Sequence, residues 1–150
     1  MSIYKNSVGA KNYIEALGAL TLSGALQSLK VLNLLTFGQI INAVAVLSGT
    51  VITGAGATLK WSGGTTTAGG TLTEIAKITI PAGCTGAVLQ IDNEDIVEAA
   101  ERAGLLPFGF QSLVLEITGV STNTIKSAIV IQPMHERVGL TPSCVSVLTP

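Results

Sequence analysis

From Val31 to Leu59 the chain carries no charged residue, a run of 29 positions between Lys30 and Lys60. A run of that length either crosses a bilayer as a helix, which takes about 20 mostly apolar residues, or disappears into a folded interior. Its contents oppose the helix. Asn33, Thr36, Gln39, Asn42, Ser48, Thr50 and Thr53 recur at short intervals, and Gly38, Gly49, Gly54 and Gly56 interrupt the run. Amides are costly in lipid without partners, and the β-branched Val, Ile and Thr of its second half favour strands. Neither flank carries the Lys/Arg cluster that orients a spanning helix. Residues 1–7 lack the apolar core and small-residue cleavage site of a secretory leader, and Lys11 and Glu15 precede the apolar residues 16–29. Neither membrane insertion nor secretion is expected.

The scarcity of charge extends over the whole chain. Only 11% of the 150 residues are charged, against roughly 25% in an ordinary soluble domain. Gly, Thr and Ser fill the difference, while the hydrophobic fraction is an ordinary 47%. That fraction excludes disorder, and the length suits one domain with a real core. A net charge of −1 and no basic stripe argue against nucleic-acid binding. A surface with few charges of either sign is weakly hydrated and weakly self-repelling, so it favours association with other protein.

Period-two alternation then organises the chain. Residues 41–47 read as a strand closed by Ser48-Gly49, and residues 50–53 as its continuation. Thr58–Ser62, residues 71–80, 87–91, 112–118 and 124–131 read as further strands. Within 71–80, Leu72 is out of phase with Ile75, which predicts a bulge or a strand start near Glu74. Gly63–Gly70 reads as a flexible loop, and Gly119–Asn123 as a hairpin loop joining the last two strands. Residues 13–35 are ambiguous: Tyr13, Leu17 and Leu20 fit a helical face, yet Gly18 and Gly24 disfavour a helix. One helix is predicted after Asp92 or Asn93. Glu94 and Asp95 stand in its first turn, Ile96, Val97, Ala100 and Ala103 form its apolar side, and Gly104 ends it. The expected fold is mainly β, a β-sandwich or jelly-roll-like barrel with one or two short helices. The single domain spans 1–150, with residues 1–12 as an N-terminal arm and 138–150 as an extended C-terminal tail.

Residues that could carry chemistry are few. His135, the one histidine, stands in a polar corner with no nucleophile motif, and a catalytic base needs both a nucleophile and an orienting acid. Cys84 and Cys144 lack the companions of a zinc site. They are read as thiols in a reducing cell, with a disulfide within or between chains as the alternative after release from it. Five of the nine acids, Asp92, Glu94, Asp95, Glu98 and Glu101, gather at the helix. They lack the glycine and distal glutamate of a calcium loop. Their simplest reading is a solvated helix start in which Glu98 pairs with Arg102; the functional reading is an acidic patch facing a basic neighbour. The glycine-rich segments match no phosphate-binding motif. Trp61, Phe108 and Phe110 read as core lining or, at an interface, as buried anchors. No catalytic residue, cofactor or metal is therefore expected, and no enzymatic activity.

The segments Gln39–Val46, Ala57–Trp61 and Ile78–Gly83, set in a charge-poor, Thr/Gly/Ala/Val-rich β protein, resemble the small virion proteins of tailed bacteriophages, capsid decoration (cement) proteins above all. The resemblance covers residues 35–135 and transfers no functional residue. It implies a protein made in the host cytoplasm that binds the capsid surface without catalysis. Its partners would be the major capsid protein or other virion subunits and copies of itself, as trimers for instance, with no nucleic acid and no membrane. A tail, tube or neck component of the same virion and a host-adhesion or carbohydrate-binding module are the alternatives.

Overall fold

In the computed structural model, which describes residues 12–37, 39–50 and 56–133, alternation becomes eight strands and two short helices. In chain order they are β1 (Tyr13–Leu20), β2 (Gln27–Asn33), α1 (Leu34–Phe37), β3 (Ile40–Ser48), β4 (Ala57–Thr66), β5 (Gly69–Ile80), β6 (Gly86–Asp92), α2 (Asn93–Arg102), β7 (Ser112–Thr118) and β8 (Ile125–Pro133). The strands form two antiparallel four-stranded sheets, ordered β1-β8-β3-β6 and β2-β7-β4-β5. The pairings are nested: β4 with β5, β3 with β6, β2 with β7 and β1 with β8. Four such nested antiparallel pairs, folded over into two facing sheets, are the jelly-roll form of the β-sandwich.

The interior is built from one phase of each strand. Ala43, Ala45 and Leu47 of β3, Leu89 and Ile91 of β6, and Ile129 and Ile131 of β8 face Leu59 and Trp61 of β4 and Leu113, Leu115 and Ile117 of β7. All are buried, and burial of this kind stabilises by roughly 25 cal/mol per Å² of apolar surface. The Trp61 indole N–H crosses the gap between the sheets and donates to the Leu89 carbonyl at 3.2 Å.

The predicted bulge forms. Trp61 pairs with Ala76 and Ser62 with Glu74, leaving Ile75 as the extra residue of β5. The helix forms as expected too. Asp92 accepts from the Asp95 backbone N–H at 2.9 Å while Asp95 accepts from that of Asp92 at 3.0 Å, a reciprocal capping box. Gly104 follows in the left-handed region at φ 75°. Arg102 does not join Glu98: its guanidinium donates to the Glu74 carbonyl at the bulge, 3.2 Å away. This contact holds α2 over β5, an edge strand whose open backbone groups would otherwise invite pairing.

One ambiguity is resolved and two expectations are corrected. Residues 13–35, ambiguous in the sequence, form β1 and β2 and open α1 at Leu34, and a register shift between Ala16 and Ala19, where Gly18 takes φ 83°, interrupts the alternation of β1. Gly63 and Gly64 lie inside β4, and the turn shrinks to the residues between Thr66 and Gly69. A β-carbon at Gly63 would stand 2.3 Å from the Phe110 ring, and one at Gly64 2.2 Å from the Gly69 carbonyl oxygen. The glycines thus make room for neighbours. Finally, β7 and β8 are no hairpin. β7 pairs with β2 and β4 and β8 with β1 and β3, so residues 119–124 cross from one sheet to the other. That crossing is tied to the β1–β2 connection: Leu22 N–H donates to Ser121 Oγ at 3.0 Å and Gly24 N–H to the Gly119 carbonyl at 2.8 Å.

Residues 1–11 of the arm, the tail 138–150, His135, Cys144 and residues 51–53 of the predicted strand continuation lie outside the described residues. Cys84 is half-buried in the β5–β6 connection.

Candidate interaction site

The end of the sandwich opposite the crossing of residues 119–124 gathers α1, the start of β3, the first turn of α2 and the loop before β7. Asn33 at the end of β2 accepts from the Leu35 N–H at 2.9 Å and starts α1. The loop is tied by Leu34 N–H to the Gln111 carbonyl at 3.0 Å and by Gln111 N–H to the Gly64 carbonyl at 2.8 Å. Between these elements lies an open cleft of about 280 Å³, lined by Leu34, Leu35, Gln39, Ile40, Asn93, Ile96, Phe108 and Phe110. Most of these side chains are apolar, and the two polar ones are amides.

The Phe108-Gly109-Phe110 segment sets the chemistry of the cleft. Gly109 donates to the Leu106 carbonyl at 2.8 Å, and a β-carbon there would come within 2.8 Å of Leu105 Cβ. The tight turn that needs this glycine sends the two rings to different fates. Phe110 is 5% exposed and belongs to the core above Gly63; Phe108 is 58% exposed and stands at the mouth of the cleft. Leu35, 69% exposed, is a second apolar wall residue open to solvent. Exposed apolar side chains around a concave site make this a candidate binding surface.

Of the sequence-singled residues, the structure brings Phe108, Phe110 and the acidic helix start to one end. Asn93 and Ile96 line the cleft, which places Asp92, Glu94 and Asp95 next to its lining residues along α2. Asp92 and Asp95 are occupied by the capping box, while Glu94 and Glu98 are exposed. Trp61 stands apart. It is 0% exposed in the middle of the sandwich, so it offers no area to a partner and acts as a core anchor. Phe110 is buried too, and its ring lines the cleft from inside. Sequence reasoning missed Leu34 and Leu35, because their segment looked ambiguous, and read Ile40 only as the start of a β segment. The apolar dipeptide Leu34-Leu35 directly after a strand was the available signal.

Two buried carboxylates lie away from this cleft. Glu15 of β1 is 6% exposed; Lys30 Nζ of β2 sits 2.7 Å away, and the Tyr13 hydroxyl also donates to it. Glu116 of β7 has Lys60 Nζ at 3.7 Å and the Ser62 hydroxyl at 3.4 Å. Each therefore has a cation and a hydroxyl, an arrangement that joins neighbouring strands or the two sheets. Among the described residues no group of His, Cys, Asp and Glu could hold a metal ion, and no helix is long and apolar enough to cross a membrane.

No protein family and no curated protein matches the sequence. Similar solved structures include a chain from Bacillus endospore appendages, described as disulfide-linked pili, at 15% identity and TM-score 0.44, covering 83% of this chain and 90% of that one. The SPBc2 prophage-derived protein YomS is similar at 10% identity and TM-score 0.41, over 79% of this chain and 94% of that one. The VP2 subviral particle of infectious bursal disease virus is similar at 12% identity and TM-score 0.42, over 81% of this chain and 32% of that one.

Proposed function

We propose that this protein is a non-enzymatic virion subunit of the decoration type, which binds a capsid lattice and stabilises it. The observation that carries the proposal is the open end cleft, where Phe108 and Leu35 stand exposed beside the acidic start of α2. An apolar centre flanked by charge on one side is the anatomy of a protein–protein contact. The cleft would take an apolar side chain of a neighbouring virion subunit, with Glu94 and Glu98 facing basic residues on that neighbour. Each contact would be modest, and repetition over a lattice turns modest contacts into high avidity. The sequence resemblance to small phage virion proteins points to the same role.

Co-sedimentation with purified particles lacking the protein tests this reading. Wild-type protein pellets with the particles, and Phe108→Asp abolishes pelleting while leaving the fold intact. Pelleting of the F108D variant at the wild-type level would remove the cleft from the account.

A further inference from the structure

The outer faces of the two sheets differ in kind. On the β2-β7-β4-β5 sheet the outward positions are mostly polar or charged, Lys60, Glu74 and Lys77 beside Thr58, Thr79 and Thr118 with Glu116 buried among them. Val31, Val114 and Leu72 are the apolar exceptions. The β1-β8-β3-β6 sheet turns out a different set. Its registers place Ile14, Val130, Val44 and Gln90 in one cross-strand row and Ala16, Ala128, Val46 and Val88 in the next. Ala16, Val46 and Val88 are exposed, Val88 by 60%. An antiparallel sheet normally shows water one polar face; the two central rows of this outer face are apolar apart from Gln90.

The only charges among these outward positions stand at opposite ends. Beyond the first row lie Gln132, Asn42 and Asp92; beyond the second lie Lys126, Ser48 and Gly86. The Asn42 amide donates to the Gln132 side-chain carbonyl at 2.9 Å, which leaves the first end polar and ordered.

We infer that this face is the pairing surface for a second copy of the chain, packed sheet on sheet about a two-fold axis lying between the two rows. Such an axis lays each copy's first row on the partner's second row. Ile14 then stands over Ala16 and Val130 over Ala128, large side chains over small ones. The same operation carries Lys126 of each copy over Gln132 of the other, at the end that also holds Asp92 two strands away. Large meets small on β1 and β8, Val44 meets Val46 and Gln90 meets Val88. Each end brings a basic residue of one copy to the acidic end of the other, a self-complementary patch of the isologous kind. Four strands about 4.8 Å apart and four rows of residues outline roughly 400 Å² per copy. Twice that lies below the ~1,200 Å² total of stable complexes, so the free pair is weak and concentration-dependent. The inference concerns the chain alone and does not depend on its place in a virion.

Sedimentation equilibrium of the purified full-length protein, from about 10 μM to about 1 mM, tests it. The wild type moves from monomer to dimer over this range. Val88→Glu weakens the dimer at least tenfold, Gln90→Glu weakens it less, and Thr79→Glu on the other sheet leaves it unchanged. The emission of the buried Trp61 confirms that each variant is folded, and Q90E, at an exposed position, keeps the test open if V88E misfolds. A wild type that stays monomeric throughout overturns the inference. So does a dimer that T79E dissolves and the Val88 and Gln90 variants do not. A monomeric wild type whose V88E variant loses particle binding would give the face to another virion subunit and equally overturn pairing of copies.

Discussion

The Phe110 ring lies so close over Gly63 that a β-carbon at position 63 would be 2.3 Å from its Cδ2. This contact joins the end cleft to the sandwich core, and it explains a glycine in the middle of a strand. Gly63→Ala overpacks the site and destabilises the fold by about 1–3 kcal/mol. Phe110→Ala leaves a void and costs about 3–5 kcal/mol. Denaturant unfolding of the double variant shows a loss smaller than the sum, because alanine at position 63 no longer meets a ring. Strict additivity would separate the two residues.

Trp61, the one tryptophan, is fully buried and donates to the Leu89 carbonyl of the facing sheet. Its emission is blue-shifted and resists acrylamide until the protein unfolds. Trp61→Phe strands that carbonyl and destabilises by about 1–3 kcal/mol, with more lost where the smaller ring leaves a gap. Ready quenching in the folded state would contradict the assignment of Trp61 to the core.

Glu15 and Lys30 join β1 to β2 across the two sheets. Lys30→Met leaves a buried carboxylate without its cation. Because the Lys30 side chain keeps some access to water, the expected loss is about 1–3 kcal/mol, below that for a fully buried pair. Glu15→Gln in the K30M background recovers part of that loss in thermal or urea unfolding. A double variant less stable than K30M would show that the carboxylate needs no cation there.

The acids of α2 divide by task. Asp92→Ala breaks the capping box and destabilises by about 1 kcal/mol. Glu98→Gln, on the exposed side of α2, leaves the unfolding midpoint unchanged and weakens particle binding instead. Equal effects of the two on stability would remove that division.

Much of this fold is legible in the sequence, for definite reasons. Alternation marks β3 to β8, the phase slip between Leu72 and Ile75 marks the bulge, and the cap and terminal glycine mark α2. Pairing is not legible, because period two identifies a strand without naming its neighbour; residues 112–131 therefore looked like a hairpin. Gly63 and Gly64 looked like a loop because Phe110 and Ser112, which occupy their missing side-chain space, are distant in sequence. At the site, Phe108 and the acidic helix start were visible, while Leu34 and Leu35 of the opposite wall were hidden by the ambiguity of residues 13–35. The apolar outer face had a signal in Ala43–Leu47 and Ile129–Ile131. Both phases there are apolar, as in a strand covered on both sides.

The central claim is that this chain is an assembly subunit of a virion, and quantitative mass spectrometry of purified particles tests it most directly. The account predicts the protein in the particles at a copy number close to that of the major capsid protein. A much smaller number would move it from the capsid surface to the tail or neck, and absence from the particles would contradict the account.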